Sequence, residues 1–215
     1  MVRPTERDLR VLRWVGEQFG APLPVVEQLY GVSPAIARRH VARLVRAGLA
    51  AREYGPLGRL WLVPTRKGLR FAGLEYERWS LVGWKGDHVA STARLRLALQ
   101  RIHPAATWTS ERAIRSRWAN TGARVRFADG QLDFPDGRCV GVELELHRKQ
   151  RHEYEGIGRD VDPAFDEVWW FVPGDPARHL VEVTWLRGVL DGIPKQERPT
   201  HEVYALTGEL RGVLG

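Results

Sequence analysis

The segment VGVELELHRK holds the residues best suited to chemistry. Glu143 and Glu145 stand two apart, so on an extended strand they project from one face and leave Val142, Leu144 and Leu146 to the other. Asp129 precedes Glu143 by fourteen residues, and an antiparallel return through Asp136-Gly137 sets the two strands side by side. A strict two-residue turn there puts Asp129 opposite Leu144, so meeting Glu143 requires a bulge or a bend. Asp133, four residues after Asp129, shares its face and competes for the first acidic place. Glu111 adds a carboxylate from the first turn of an upstream helix. Carboxylates converging from a strand pair and a helix suit Mg²⁺, a hard ion that prefers oxygen ligands and keeps several waters. A metal held this way can activate a water and offset charge building on a phosphodiester. The same residues also read as plain structure. Glu143 and Glu145 fit a solvated strand face paired with Arg148 or Arg126. Asp-Gly pairs are ordinary turns, and Glu111 suits a helix N-terminus.

Other chemistries find less material. His88, His103, His147, His152, His179 and His201 show no paired metal spacing, and no Cys joins the five-residue step from His147 to His152. No glycine-rich phosphate loop is present. Cys139, the single cysteine, lies in an apolar strand and reads as packed, and it excludes an intrachain disulfide. Trp169 and Trp170 read as core and rim, with stacking on a base as the alternative. No run of 18 apolar residues occurs. The opening MVRPTERDLRVLRW lacks the apolar stretch of a signal peptide, which predicts a cytoplasmic chain.

Charge divides the 215 residues unevenly. Residues 1–80 hold 14 Lys and Arg against 7 Asp and Glu, whereas residues 81–215 hold 19 of each. The whole formal charge of +7 therefore sits in the first segment, the electrostatic footprint of a nucleic-acid partner. Thr5 can cap a helix with Leu9, Leu12, Val15 and Phe19 on one side, and Gly20 stops it. A short helix fits Leu23–Tyr30. Ser33-Pro34 then opens a third, SPAIARRHVARLVRAG. Leu49–Tyr54 and Arg59–Val63 read as strands joined by Gly55-Pro56-Leu57-Gly58, and Thr65 caps a further helix.

Three helices followed by a basic hairpin resemble the winged helix-turn-helix family over residues 4–73. That resemblance implies double-stranded DNA as partner, with the third helix in the major groove. Ala35, Arg38 and Arg39 then fall where base edges are met, Arg43 and Arg46 near phosphates, and Arg52 and Arg59 on the wing. The alternatives are a self-solvating arginine-rich bundle or a wing used for protein contact. His40 lies toward the apolar side and reads as packed or capping.

The rest of the chain reads as helix Asp87–Ile102, a helix SERAIRSRW, three short strands ending at Cys139–Leu146, a helical stretch HRKQRHEYEGIGRDV, the buried strand FDEVWWFVP, and a last strand HEVYAL. Segments near 176–190 and 208–214 read as helical. The expected class is α+β: an N-terminal winged helix-turn-helix in residues 1–80 and a small α/β domain in residues 86–215. The acidic constellation resembles the PD-(D/E)xK nuclease superfamily, which implies a restriction-endonuclease-like core sheet. By that resemblance Asp129 takes the first acidic place, Glu143 the second and Glu111 the helix place, with Asp129, Glu143 and Glu145 as metal ligands. Glu145 stands where the family has lysine, and Lys149 could swing a charge back. The segments WTSER, ADGQLDFPDGR and VELELHRK also resemble the replication-relaxation family of actinobacterial plasmids and integrated elements. The expectation is a DNA-binding protein of such an element, with Mg²⁺-dependent endonuclease activity. The rival is a non-enzymatic replication or transcription regulator whose second domain forms a homodimer or binds a partner.

Overall fold

Thr5 and Asp8 begin the first helix by capping each other. The Asp8 carboxylate accepts the Thr5 N–H at 2.7 Å, and the Thr5 hydroxyl accepts the Asp8 N–H at 3.3 Å. Helix α1 (Glu6–Glu17) then buries Val11, Leu12 and Val15. A computed structural model describes residues 4–55, 58–81, 83–118, 127–147, 150, 152–153, 165–174 and 200–205. The chain forms two compact units, Met1–Arg94 and Leu95–Gly215. No helix among the described residues is long and apolar enough to cross a membrane.

In the first unit, a two-residue strand β1 (Ala21–Pro22) leads into α2 (Leu23–Tyr30), which ends at Gly31 in the left-handed region. Helix α3 (Pro34–Arg46) buries Ala37, Val41 and Leu44. Ser33 stands at its cap position but its hydroxyl makes no capping bond, so the Pro34 ring rather than a cap starts this helix. Strands β2 (Ala50–Tyr54) and β3 (Leu60–Pro64) pair antiparallel, and β1 adds to the far edge of β3. Helix α4 (Arg66–Phe71) follows, capped by Thr65, whose hydroxyl accepts the Gly68 N–H at 3.0 Å. Strand β1 was not expected from sequence. Two residues carry no alternation, and only the docking of β3 gives them partners.

Asp8 has a second role. Its side chain is fully buried, and Arg43 grips it with two bonds of 2.8 Å from Nε and Nη2. The Tyr30 hydroxyl donates to it at 3.1 Å, and His40 Nδ1 lies 3.1 Å away. The His40 ring stacks on Tyr30 at 4.7 Å, which is the packed role expected for it. One carboxylate thus joins α1, α2 and α3. Burial pushes its pKa up, but the bonds from Arg43, Thr5 and His40 outweigh that and hold it at about 2.

The boundary between units falls within helix α5 (Gly83–Ile102). Val89 and Ala90 pack with Trp61 and Val63, against Phe19, Trp79 and Leu81. In the second unit, β4 (Thr107–Ser110) runs directly into α6 (Glu111–Trp118). Strands β5 (Gly130–Asp133), β6 (Cys139–Leu144), β7 (Glu167–Val172) and β8 (Thr200–Ala205) complete a mixed sheet of order β4-β5-β6-β7-β8. The first three strands run antiparallel, and β6–β7 and β7–β8 are parallel. One sheet face packs Leu132, Val140, Val142, Leu144, Trp169 and Phe171 beneath Leu95 and Leu99. The other gathers Ala128, Val168 and Trp170 with Phe165 and Val203. Trp169 and Trp170 alternate between these faces and both belong to core. Of the expected strand Arg124–Phe127 only Phe127 is described, and it is not in a strand. Of the helical stretch 147–161, residues 147, 150, 152 and 153 are described, the last two helical. The segments near 176–190 and 208–214 lie outside the described residues. Ser110 both ends β4 and caps α6, as expected of Thr109-Ser110: its hydroxyl accepts the Ala113 N–H at 3.3 Å.

Because Asp8 is the centre of the first unit, Asp8→Asn should lower its stability by about 2–3 kcal/mol by leaving the half-buried Arg43 without its counter-charge. The folded pKa lies below the ordinary 3.8. The carboxylate's contribution, about 2 kcal/mol, is therefore present above pH 4 and lost as pH falls toward 2. Urea unfolding of the full chain at pH 7, 4 and 3 should show this acid-side loss in the parent and its absence in Asp8→Asn.

Candidate functional site

The acidic residues meet through strand register. Asp133 pairs with Cys139 and Gly130 with Val142, so the next step places position 129 opposite Glu143. The sequence expectation for a two-residue turn was Leu144. The difference lies in the loop, which is Pro135-Asp136-Gly137. Phe134 N–H donates to the Arg138 carbonyl at 2.9 Å, and Gly137 N–H donates to the Phe134 carbonyl at 3.0 Å. Proline presets the first position and Gly137, at φ 91°, supplies the left-handed one. The extra loop residue shifts the register by one and meets the requirement for a bulge or bend.

The same step extends to the neighbouring strands. Ser110 pairs with Gly130, and Glu143 pairs with Trp170, which pairs with Val203. Glu111 at the start of α6, Asp129 just before β5 and Glu143 on β6 therefore lie at the same end of the sheet and make an acidic row across neighbouring elements. Within that row the Asp129 carboxylate accepts the Leu144 N–H at 2.8 Å. Glu111 accepts from Arg115 Nε at 2.7 Å. Gly130 lets the Trp108 ring pack over β5, since a Cβ on it would lie 2.1 Å from that ring.

Glu143 and Glu145 are 5% and 6% exposed, so neither belongs to a solvated strand face. Glu145 continues the β6 ladder, its N–H donating to the Phe171 carbonyl at 2.9 Å. Burying carboxylates is costly unless they are neutralised or compensated. Asp133 is drawn elsewhere. It accepts from Gln131 Nε2 at 2.6 Å and lies beside Cys139, whose thiol is pushed up to about 12 by burial and by this carboxylate. It stands four residues, about 13 Å along the strand, from Asp129. Asp129, not Asp133, is the neighbour of Glu143. Cys139 is half-buried, and its raised pKa disfavours the thiolate at neutral pH. Lys149 lies outside the described residues. Among the described residues no three His, Cys, Asp or Glu side chains gather into a group that could hold a metal ion. Asp129 and Glu143 offer oxygen donors only, the type a hard ion such as Mg²⁺ prefers.

The arginines of the first unit divide into two kinds. Arg43, expected near phosphate, turns inward to Asp8. Arg38 is exposed but its Nε donates to Glu27 at 3.2 Å. Ala35, Arg39, Arg46, Arg52 and Arg59 are exposed. Tyr54, on the same strand face as Arg52, is 80% exposed. Reading one element at a time missed the Arg43–Asp8 pairing, because the partners are 35 residues apart. Its one local trace is an aspartate at the third position of a helix beginning with threonine.

No protein-family model, curated protein or solved structure matches the chain. The resemblance to the replication-relaxation family rests on WTSER, ADGQLDFPDGR and VELELHRK themselves.

The register rests on Gly137, so Gly137→Ala should lower stability by about 1 kcal/mol, since alanine at positive φ is strained. Urea unfolding should show a lower midpoint at unchanged slope. An unchanged midpoint would mean that the three-residue loop does not form.

Proposed function

We propose that the chain is a DNA-binding protein whose first unit engages duplex DNA as a winged helix-turn-helix. The observation that carries this reading is the exposed cationic set, Arg39 and Arg46 on α3 with Arg52 and Arg59 on the hairpin, in the segment that holds all the net charge. The element order supports it too: three helices, then an antiparallel hairpin with a short third strand. Helix α3 has the size to enter the major groove, and the hairpin arginines would then reach the backbone alongside.

For the second unit we propose a restriction-endonuclease-like core, supported by an antiparallel meander followed by parallel strands. Its acidic row favours metal-assisted cleavage of a phosphodiester. Asp129 and Glu143 would hold Mg²⁺, which supplies an activated water and offsets negative charge on the scissile phosphate. Glu145 lies two residues beyond Glu143 and is equally buried, able to accept a proton from a water at the strand end. Glu111 is engaged by Arg115, so its part is to position that arginine at the rim of the row. The chain would act in replication or transfer of a plasmid or integrated element.

Binding of the full chain to duplex DNA, measured by fluorescence anisotropy, should weaken steeply with salt. Arg46→Ala and Arg52→Ala should each flatten the log–log slope by roughly 0.9. No binding at 50 mM salt would overturn the reading. Separately, millimolar Mg²⁺ should raise the melting temperature of the full chain, because a ligand of the native state stabilises it. Glu143→Gln should abolish that gain and any cleavage while leaving DNA affinity intact. A melting curve indifferent to Mg²⁺ and Mn²⁺, with and without DNA, would leave a non-enzymatic regulator.

A further inference from the structure

Helix geometry separates the arginines of α3 more sharply than exposure does. Ala37, Val41 and Leu44 are the buried residues of this helix and define its inward direction. At 100° per residue, the opposite direction is occupied by Ala35, Arg39, Ala42 and Arg46, spaced four, three and four apart. Arg38 and Arg43 fall on the two flanks, and each flank supplies an acid. Glu27 on α2 takes Arg38, and Asp8 on α1 takes Arg43. Arg39 has no ion-pair partner among the described residues. Arg46 lies in the last turn, its Nε donating to the Ala42 carbonyl at 3.3 Å.

The stripe thus alternates methyl groups with guanidiniums. Alanines at 35 and 42 keep the helix surface low on both sides of Arg39, so that the backbone can approach a groove floor closely. A long arginine between two methyls then becomes the group that reaches furthest. A guanidinium presents two parallel N–H donors, which match the paired O6 and N7 acceptors that guanine alone displays in the major groove.

We propose that Arg39 is the specificity-determining residue of the helix and reads a guanine in the major groove, an inference that rests on the DNA-binding reading above. Arg38 is a positioning residue, tied to Glu27 and set to one side. Arg46 contacts the backbone, and the alanine methyls lie against base edges where a thymine methyl is the complementary group.

The test uses the full chain and a duplex enriched from a random pool by in vitro selection. Affinity is measured for that duplex, for a random duplex, and for copies in which each guanine in turn is replaced by 7-deazaguanine, which lacks the N7 acceptor. Replacing one guanine should weaken the parent protein markedly and leave Arg39→Ala unaffected. Arg39→Ala should reduce the selected-to-random affinity ratio by roughly 5- to 100-fold. Arg39→Lys should keep the affinity for random duplex and lose the ratio, since it retains the charge without the paired donors. Arg46→Ala should weaken both duplexes by the same factor. The proposal is overturned if Arg39→Ala weakens both duplexes equally, or if no single guanine replacement affects the parent, while DNA binding itself persists. If the parent binds no duplex at low salt, the DNA-binding reading falls, and this inference with it.

Discussion

A carboxylate shut away from water must be neutralised, protonated or compensated, and Asp8 is compensated from all sides. It caps α1 through Thr5, accepts a hydroxyl bond from α2 through Tyr30, and meets Arg43 and His40 from α3. The geometry is bidentate, the arrangement in which an arginine and a carboxylate interact most strongly. Burial of Leu12, Val15, Val25, Val41 and Leu44 removes apolar surface from water, but that driving force is non-directional. The Asp8 contacts add direction and set which side of α3 faces inward.

That constraint carries through to the surface. Turning Arg43 inward removes one cation from the exposed side of α3 and orients the helix about its axis. The residues left outward are those that alternate alanine with arginine. The surface proposed to meet DNA is therefore defined in part by an ion pair buried behind it. Arg38 illustrates the same logic in a weaker form, since an exposed pair with Glu27 restrains a side chain without contributing much stability.

The second unit depends on a different constraint, the register of one hairpin. Side chains alternate along a strand, so a shift of one residue would exchange Glu143 with Leu144 between core and the opposite face. The three-residue loop through Gly137 selects the register in which Val140, Val142 and Leu144 share the core with Leu132 and Trp108. The acidic row follows from that choice. It places Asp129 and Glu143 side by side and leaves Asp133 at the other end of the hairpin, occupied by Gln131.

Much of the local architecture was legible in the sequence because its causes are local. Apolar spacing marked α1, α3 and the strands of the hairpins, Thr5 and Thr65 marked helix starts, and the partition of charge marked the first eighty residues. The positions of Asp129, Glu143 and Glu145 were readable as candidates for the same reason. Tertiary structure alone decided what depends on partners distant along the chain. Strands β1 and β4 are too short to show a period, and they exist because β3 and β5 offer them backbone bonds. Burial of Glu143 and Glu145 is decided by strands and packing on both sides of β6, whereas alternation alone suggested a solvated face. The fate of each arginine on α3 turned on where Glu27 and Asp8 come to rest, 11 and 35 residues away in sequence. Local spacing determines which residues share a face; only the folded chain determines what that face meets.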